Sequence, residues 1–223
     1  MPGLVIDDVS RRYGRRWALA HISLEIAAGE AWMLLGHNGS GKSTLIRCLA
    51  TAQRVHAGTI RFGGQDLWSN RAAIRPRIAV LGHQPSLYDD LSAAENLSVW
   101  ADLGGIEVDV DAMLVKVGIE PSRRDPVRTF SAGMRRRVAI ARMLLKKPEL
   151  VLLDEPFTAL DPGGRDWLVG VILELRASGA TLVLATHLPQ VARAVAEHAV
   201  ILDGGQVAFR GRVDELPAAL AFE

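Results

Sequence analysis

Two hydrophobic patterns divide the chain. From Leu4 to Val9 apolar and polar residues alternate, and the run breaks at Arg11-Arg12-Tyr13-Gly14. Ala18 to Ile26 alternates again, with Leu19, Ile22, Leu24 and Ile26 as candidates for one buried side. A period of two marks strands with one covered face, so the chain should open with antiparallel strands. Ala31-Trp32-Met33-Leu34-Leu35, Leu150-Val151-Leu152-Leu153 and Thr181 to Ala185 are instead nearly unbroken apolar runs. They suit strands of a parallel sheet buried on both faces. Gly58 to Phe62 and Arg77 to Leu81 read as further short strands, and Val200-Ile201-Leu202 with Val207-Ala208-Phe209 as a hairpin.

Between Leu91 and Lys147 the spacing becomes helical. Ser92 with Glu95 three residues on is a capping box, Val108 to Val117 carries a second stripe, and a third helix is expected over Ala132 to Leu145. Arg165 to Ala177 and Val191 to Glu197 are predicted helices, and a short helix is expected to close the chain. Alternating strands and helices predict an α/β fold with a mainly parallel sheet. The expected organisation is one domain over 1–223. It has an α/β core at 1–85 and 149–223, an N-terminal antiparallel β subdomain, and a helical subdomain inserted at about 86–148.

Composition changes this picture little. The chain has 223 residues, 49% of them hydrophobic, which is enough for a core, and a net charge of +1. That balance argues neither for nor against nucleic acid. Arg135-Arg136-Arg137 reads as a short solvated or phosphate-facing cluster. Cys48 is alone, so no disulfide framework is expected, and it should be buried and reduced. No apolar stretch approaches the roughly 20 residues of a membrane span, and the first residues lack a signal-peptide pattern. A soluble protein is expected, with any membrane role exercised through a partner.

The chemistry centres on Gly36-His37-Asn38-Gly39-Ser40-Gly41-Lys42-Ser43-Thr44. It fits G-x-x-x-x-G-K-[ST], the phosphate-binding loop of P-loop NTPases, between an apolar strand and a helix. The glycines let main-chain N–H groups point at an anion, and the helix adds its positive end. Lys42 would meet the β- and γ-phosphates and Ser43 would ligate Mg2+. Thr44 would cap the helix and touch the α-phosphate. Asp154, at the carboxyl end of a buried strand, is placed to hold Mg2+. Glu155 beside it is placed to orient or deprotonate an attacking water.

Phe130-Ser131-Ala132-Gly133-Met134, followed by Arg137-Val138 and Ala141-Arg142, resembles the signature of the ATP-binding cassette (ABC) family. That signature runs Leu-Ser-Gly-Gly-Gln at the start of a helix. The resemblance extends from Tyr13 to His187 and implies the ABC ATPase fold with ATP and Mg2+. It implies two copies paired head to tail, each signature (Ser131, Ala132, Gly133, Met134) closing on the partner's nucleotide. Ala132 and Met134 depart from the pattern, and Met134 removes a polar group beside the nucleotide. The resemblance gives Tyr13 the role of stacking on adenine. It gives Gln84 a reach to Mg2+ and the water, and it places Asp161 at the dimer interface, where a helix N-cap role is equally open. His187 becomes the histidine contacting the γ-phosphate. Catalysis would then rest on Lys42, Gln84, Glu155 and His187, and the metal on Ser43, Gln84 and Asp154.

Within the family, Leu81-Gly82-His83-Gln84-Pro85, Leu91 to Leu97, Pro126-Val127-Arg128 before Ser131-Ala132-Gly133, and Asp154 to Asp161 are similar to the haem-exporter, cytochrome c biogenesis (CcmA-like) ATPases. This implies CcmB/CcmC-like permease partners and a peripheral place on the cytoplasmic face of the membrane. ATPase subunits of drug, lipid or ion exporters, and a nucleotide-dependent clamp without a transport role, stay open beside it. A soluble ABC protein on ribosomes or DNA would carry two cassettes or a long coiled coil. A P-loop kinase would not need Ser131, Gly133, Gln84 and His187 together.

Overall fold

The computed structural model describes residues 2–216. Strand β1 (Pro2–Tyr13) pairs antiparallel with β2 (Arg16–Ala27). It continues through Arg11, where the sequence pattern breaks, because Arg11, Arg12 and Tyr13 pair with Leu19, Trp17 and Arg16 around a turn at Gly14. Leu19 and Ile22 are three apart, which strict alternation would put on opposite faces. Bulges restore the parity: Asp8 and His21 both take positive φ, and register shifts flank Val9–Ile22. Leu4, Ile6, Val9, Leu19, Ile22, Leu24 and Ile26 therefore share one buried side. Strands β4 (Ala57–Phe62) and β5 (Gln65–Asp66) complete a four-stranded sheet in the order β2-β1-β4-β5.

The second sheet has six strands in the order β10-β9-β3-β8-β7-β6. These are β3 (Ala31–Leu35), β6 (Ile78–Leu81), β7 (Leu150–Asp154), β8 (Thr181–Ala185), β9 (His198–Asp203) and β10 (Gln206–Arg212). All pairings are parallel except β9 with β10. Every residue of β3, β7 and β8 is buried, as both-face coverage requires. One face packs on the antiparallel sheet and on helix α1 (Lys42–Leu49). The other packs on α6 (Pro162–Ala177) and α7 (Pro189–Ala192).

Between β6 and β7 lie α2's successors in the chain: α2 (Arg71–Ile74) precedes β6, and α3 (Ala93–Gly104), α4 (Val110–Lys116) and α5 (Ala132–Leu144) follow it. These three gather their own apolar cluster, including Leu97, Leu114, Val117, Ile119 and Val138. Ser92 and Glu95 form the expected capping box. Fully buried Asn96 ties the loop before α3: its amide donates to the carbonyls of Tyr88, Leu91 and Ser92, and its Oδ1 accepts from Tyr88 N at 2.8 Å. Asn96→Ala strands these groups away from water and is expected to cost about 3 kcal/mol. Thermal unfolding should show it as a Tm lower by about 6–12 °C.

Two expectations are corrected. The helix predicted over Val191 to Glu197 starts at Pro189 and ends at Ala192. Turns over 193–195 follow it and lead to β9 at His198, with Glu197 N already donating to Ala31 O. Helix α6 begins at Pro162 rather than Arg165, because Asp161 accepts from Gly164 N at 3.0 Å and caps the two glycines into the first turn. A 3-10 turn at Val213–Glu215 follows β10, and residues 217–223, where a closing helix was expected, lie outside the described residues. Cys48 is free and buried, and burial pushes its thiol up to about 11. No helix among the described residues is long and apolar enough to cross a membrane.

Candidate nucleotide site

The loop 36–41 leaves the carboxyl end of β3 and runs into α1. Its conformation excludes side chains at two points. A Cβ on Gly36, at φ 140°, would lie 2.2 Å from Leu202 O, and one on Gly41, at φ 113°, would lie 2.5 Å from Ala18 O. Gly41 is also the N-cap of α1, so no side chain caps the helix. Thr44, expected to cap it, sits inside the first turn instead. The first-turn N–H groups lack intrahelical acceptors, which suits an anion.

Lys42 is buried, and its Nζ donates to Gly36 O at 2.6 Å and His37 O at 3.1 Å. Burial holds its pKa below the ordinary lysine value, opposed by the charges of Glu155 and Asp154. Ser43 Oγ lies 3.2 Å from Asp154 Oδ1, although the residues are 111 apart in sequence. Their meeting follows from topology: β7 and β3 flank β8, and α1, which starts from the loop after β3, packs against β7 and β8. Glu155 turns out of β7 at φ 50°, and its carboxylate Oε2 lies 2.7 Å from His187 Nδ1. The same oxygen accepts from His187 N at 3.3 Å.

These groups line a cleft of ≈ 590 Å³ together with Ala18, Asn38, Gly39, Gly41, Thr44, His83 and Thr158. The cleft fits a nucleotide phosphate chain and a divalent cation. Uncapped N–H groups and Lys42 suit phosphate. The hard oxygens of Ser43 and Asp154 suit Mg2+ with phosphate and water completing its shell. Among the described residues no group of three or more His, Cys, Asp or Glu could hold a metal unaided. Thr158 contributes a buried Oγ1 without a protein partner.

Other predicted residues lie outside this lining. Tyr13 ends β1, 43% exposed, with its hydroxyl donating to Gln53 Oε1 at 2.5 Å. Burial raises its pKa, but hydrogen bonds with Thr44, Gln53 and Arg47 and the charge of Arg11 outweigh that and hold it below the usual phenol value. Tyr13 therefore stands beside α1. Gln84 is exposed on the loop after β6, and the same loop brings His83 to the cleft. Ser131 caps α5 by accepting from Met134 N at 3.2 Å. It and Ala132 are exposed, Gly133 and Met134 are partly covered, and none of the four lines the cleft with Lys42. Asp161 is exposed and spent on the α6 cap.

Arg136 was read as part of a solvated or phosphate-facing cluster, and that reading is corrected: it is 3% exposed. All its hydrogen bonds go to main-chain carbonyls, those of Gly82, Asp154, Glu155 and Pro156. A helical wheel carries the signal. Arg136 shares a face with Ala139, Ile140 and Met143, which are buried against the sheet.

The family model described as ABC transporter matches residues 19–158. The chain is 35% identical over 220 residues to the daunorubicin resistance ATP-binding protein DrrA3 of Streptomyces coeruleorubidus, covering 96% of this chain and 70% of the relative. It is 39% identical over 176 residues to the cytochrome c biogenesis ATP-binding export protein CcmA of Bradyrhizobium diazoefficiens, covering 78% and 86%. A solved structure of the ATP-binding subunit of an ABC transporter superposes with a TM-score of 0.86 at 29% identity, covering 95% of this chain and 90% of that one. Because the family model spans more than half of its length, the chain belongs to the ABC transporter ATP-binding family and is an ATPase that takes ATP with Mg2+.

Proposed function

We propose that this chain is the ATP-hydrolysing subunit of an exporter, that two copies work together, and that the exporter serves haem handling in cytochrome c maturation. The observation that carries hydrolysis is the convergence of Lys42, Ser43, Asp154, Glu155 and His187 on one cleft. Lys42 and the N-terminus of α1 bind the β- and γ-phosphates. Glu155 orients the attacking water and accepts its proton, and His187 places a donor by the γ-phosphate. Ser43 and Asp154 would hold Mg2+, which would supply charge neutralisation on the phosphate oxygens. Arg11 covers one face of Tyr13 at 5.2 Å, leaving the other for adenine. Gln84 would approach the cleft only after its loop moves.

The pair of copies is supported by the position of the signature. A small-residue helix start with Ser131 suits an anion, yet none of residues 131–134 lines the Lys42 cleft of its own chain. A second copy, head to tail, brings it to the partner's nucleotide, with Asp161 at the interface. Without a membrane-spanning helix among the described residues, attachment would come through permease subunits, CcmB/CcmC-like, on the cytoplasmic face. Supporting the haem reading are Ala132 in the signature, Leu81 to Pro85, and the similarity to CcmA. Met134 in place of glutamine counts against the haem reading, and the longer alignment with DrrA3 favours a drug exporter.

Affinity purification of the chain from native membranes in mild detergent separates the two. Under the haem reading, mass spectrometry finds cytochrome c maturation membrane proteins and the eluate shows a haem absorption band. An unrelated permease without a haem band discards that reading and leaves the ATP site untouched.

A further inference from the structure

Glu155 holds a backbone that a side-chain-bearing residue rarely adopts, with φ 50°. Contact between Cβ and the carbonyl disfavours it, so it persists only where its surroundings over-determine it. Two contacts do so here. Glu155 N donates to Ala185 O at 2.8 Å, and Glu155 O accepts from Arg136 Nη2 at 2.7 Å. Arg136 grips the peptides on either side as well, with Nη2 3.3 Å from Asp154 O and Nε 3.1 Å from Pro156 O. Its remaining nitrogen, Nη1, donates to Gly82 O at 2.6 Å, where the loop carrying His83 and Gln84 leaves β6.

Two more arginines of α5 reach that loop: Arg135 pairs with Asp89 at 2.6 Å, and Arg142 donates to Ser86 O. Only Arg136 joins the loop to the end of β7. A buried cation normally takes a carboxylate partner. Arg136 meets carbonyl dipoles instead, and burial lowers its pKa to about 10, opposed by the charges of Asp154 and Glu155. The fork geometry matters: a lysine is one point charge and cannot span four carbonyls in this arrangement.

We propose that Arg136 is a positioning residue for hydrolysis, fixing the strained Glu155 peptide so that the carboxylate faces the cleft and His187, and locking that peptide to the Gln84 loop. This rests on the reading of Glu155 as the group that orients water. Because Arg136 bonds main-chain carbonyls and none of the side chains placed on the nucleotide, its loss affects the chemical step and spares nucleotide affinity.

The test uses the full chain with Arg136→Lys and Arg136→Gln, measuring Mg-ATP Kd by nucleotide titration and kcat at saturating Mg-ATP, beside Glu155→Gln. Both Arg136 variants are expected to bind within about threefold of wild type and to lose at least about tenfold in kcat, glutamine more than lysine. Arg136→Lys keeps a cation in place and decides the matter if Arg136→Gln does not fold. Wild-type kcat in a folded Arg136 variant overturns the proposal, as does an equal loss of binding and turnover. If Glu155→Gln is inactive while Arg136→Lys turns over normally, the positioning role alone fails. If Glu155→Gln hydrolyses normally, the reading of Glu155 fails and the positioning role falls with it.

Discussion

Lys42→Ala is expected to weaken Mg-ATP binding by at least about 100-fold, measured by titration with a fluorescent nucleotide. The ammonium is already turned onto the loop, on Gly36 O and His37 O, and is the one lysine in the cleft lining. Charge-assisted hydrogen bonds are worth about 1.5–3 kcal/mol each. Losing two to phosphate oxygens in a partly dry cleft gives 3 kcal/mol or more, about 150-fold. The fold should survive, because the two released carbonyls border the cleft, where water can reach them. Affinity within about threefold of wild type would refute the phosphate role of Lys42.

Glu155→Gln is expected to lower kcat by about 10²–10⁴-fold while leaving nucleotide affinity nearly unchanged. Glutamine keeps the shape and can still accept from His187 N, but it cannot take a proton from water. With hydrolysis blocked, ATP should persist and hold two copies together. Size-exclusion chromatography with Mg-ATP should then show a dimer that the wild type does not accumulate. A variant that binds Mg-ATP and stays monomeric would count against the head-to-tail pair. Hydrolysis within about threefold of wild type would remove Glu155 from the mechanism.

Much of this site is legible along the chain because its parts are local. The phosphate loop is nine consecutive residues whose glycines act through their main chain and whose lysine turns its ammonium back onto the same loop. Ser92 with Glu95 and the buried runs at β3, β7 and β8 are likewise short-range patterns, and each appears where expected. Where reading and structure part, a long-range constraint intervenes. The helix after Pro189 stops early because Glu197 is drawn into pairing beside β3. His83 rather than Gln84 reaches the cleft, in a loop anchored at Gly82 by Arg136 and at Ser86 and Asp89 by two neighbours on α5.

The residues by themselves determined an α/β fold, a glycine-rich loop at 36–44 of the phosphate-binding pattern, an acid pair at Asp154 and Glu155, and a small-residue helix start at Ser131. Periodicity suffices for the fold, and short motifs with the family resemblance suffice for the rest, since each depends on neighbours within one or two turns. Only the tertiary structure decided which of them meet. Strand order places Ser43 against Asp154 and His187 against Glu155, and it leaves Ser131 out of the Lys42 cleft. It also decided what Arg136 does on the buried face of α5: its donors meet the carbonyl of Gly82 and those around the strained Glu155 peptide. Those carbonyls come from a strand end and a loop 18 to 54 residues away, a distance no local pattern spans.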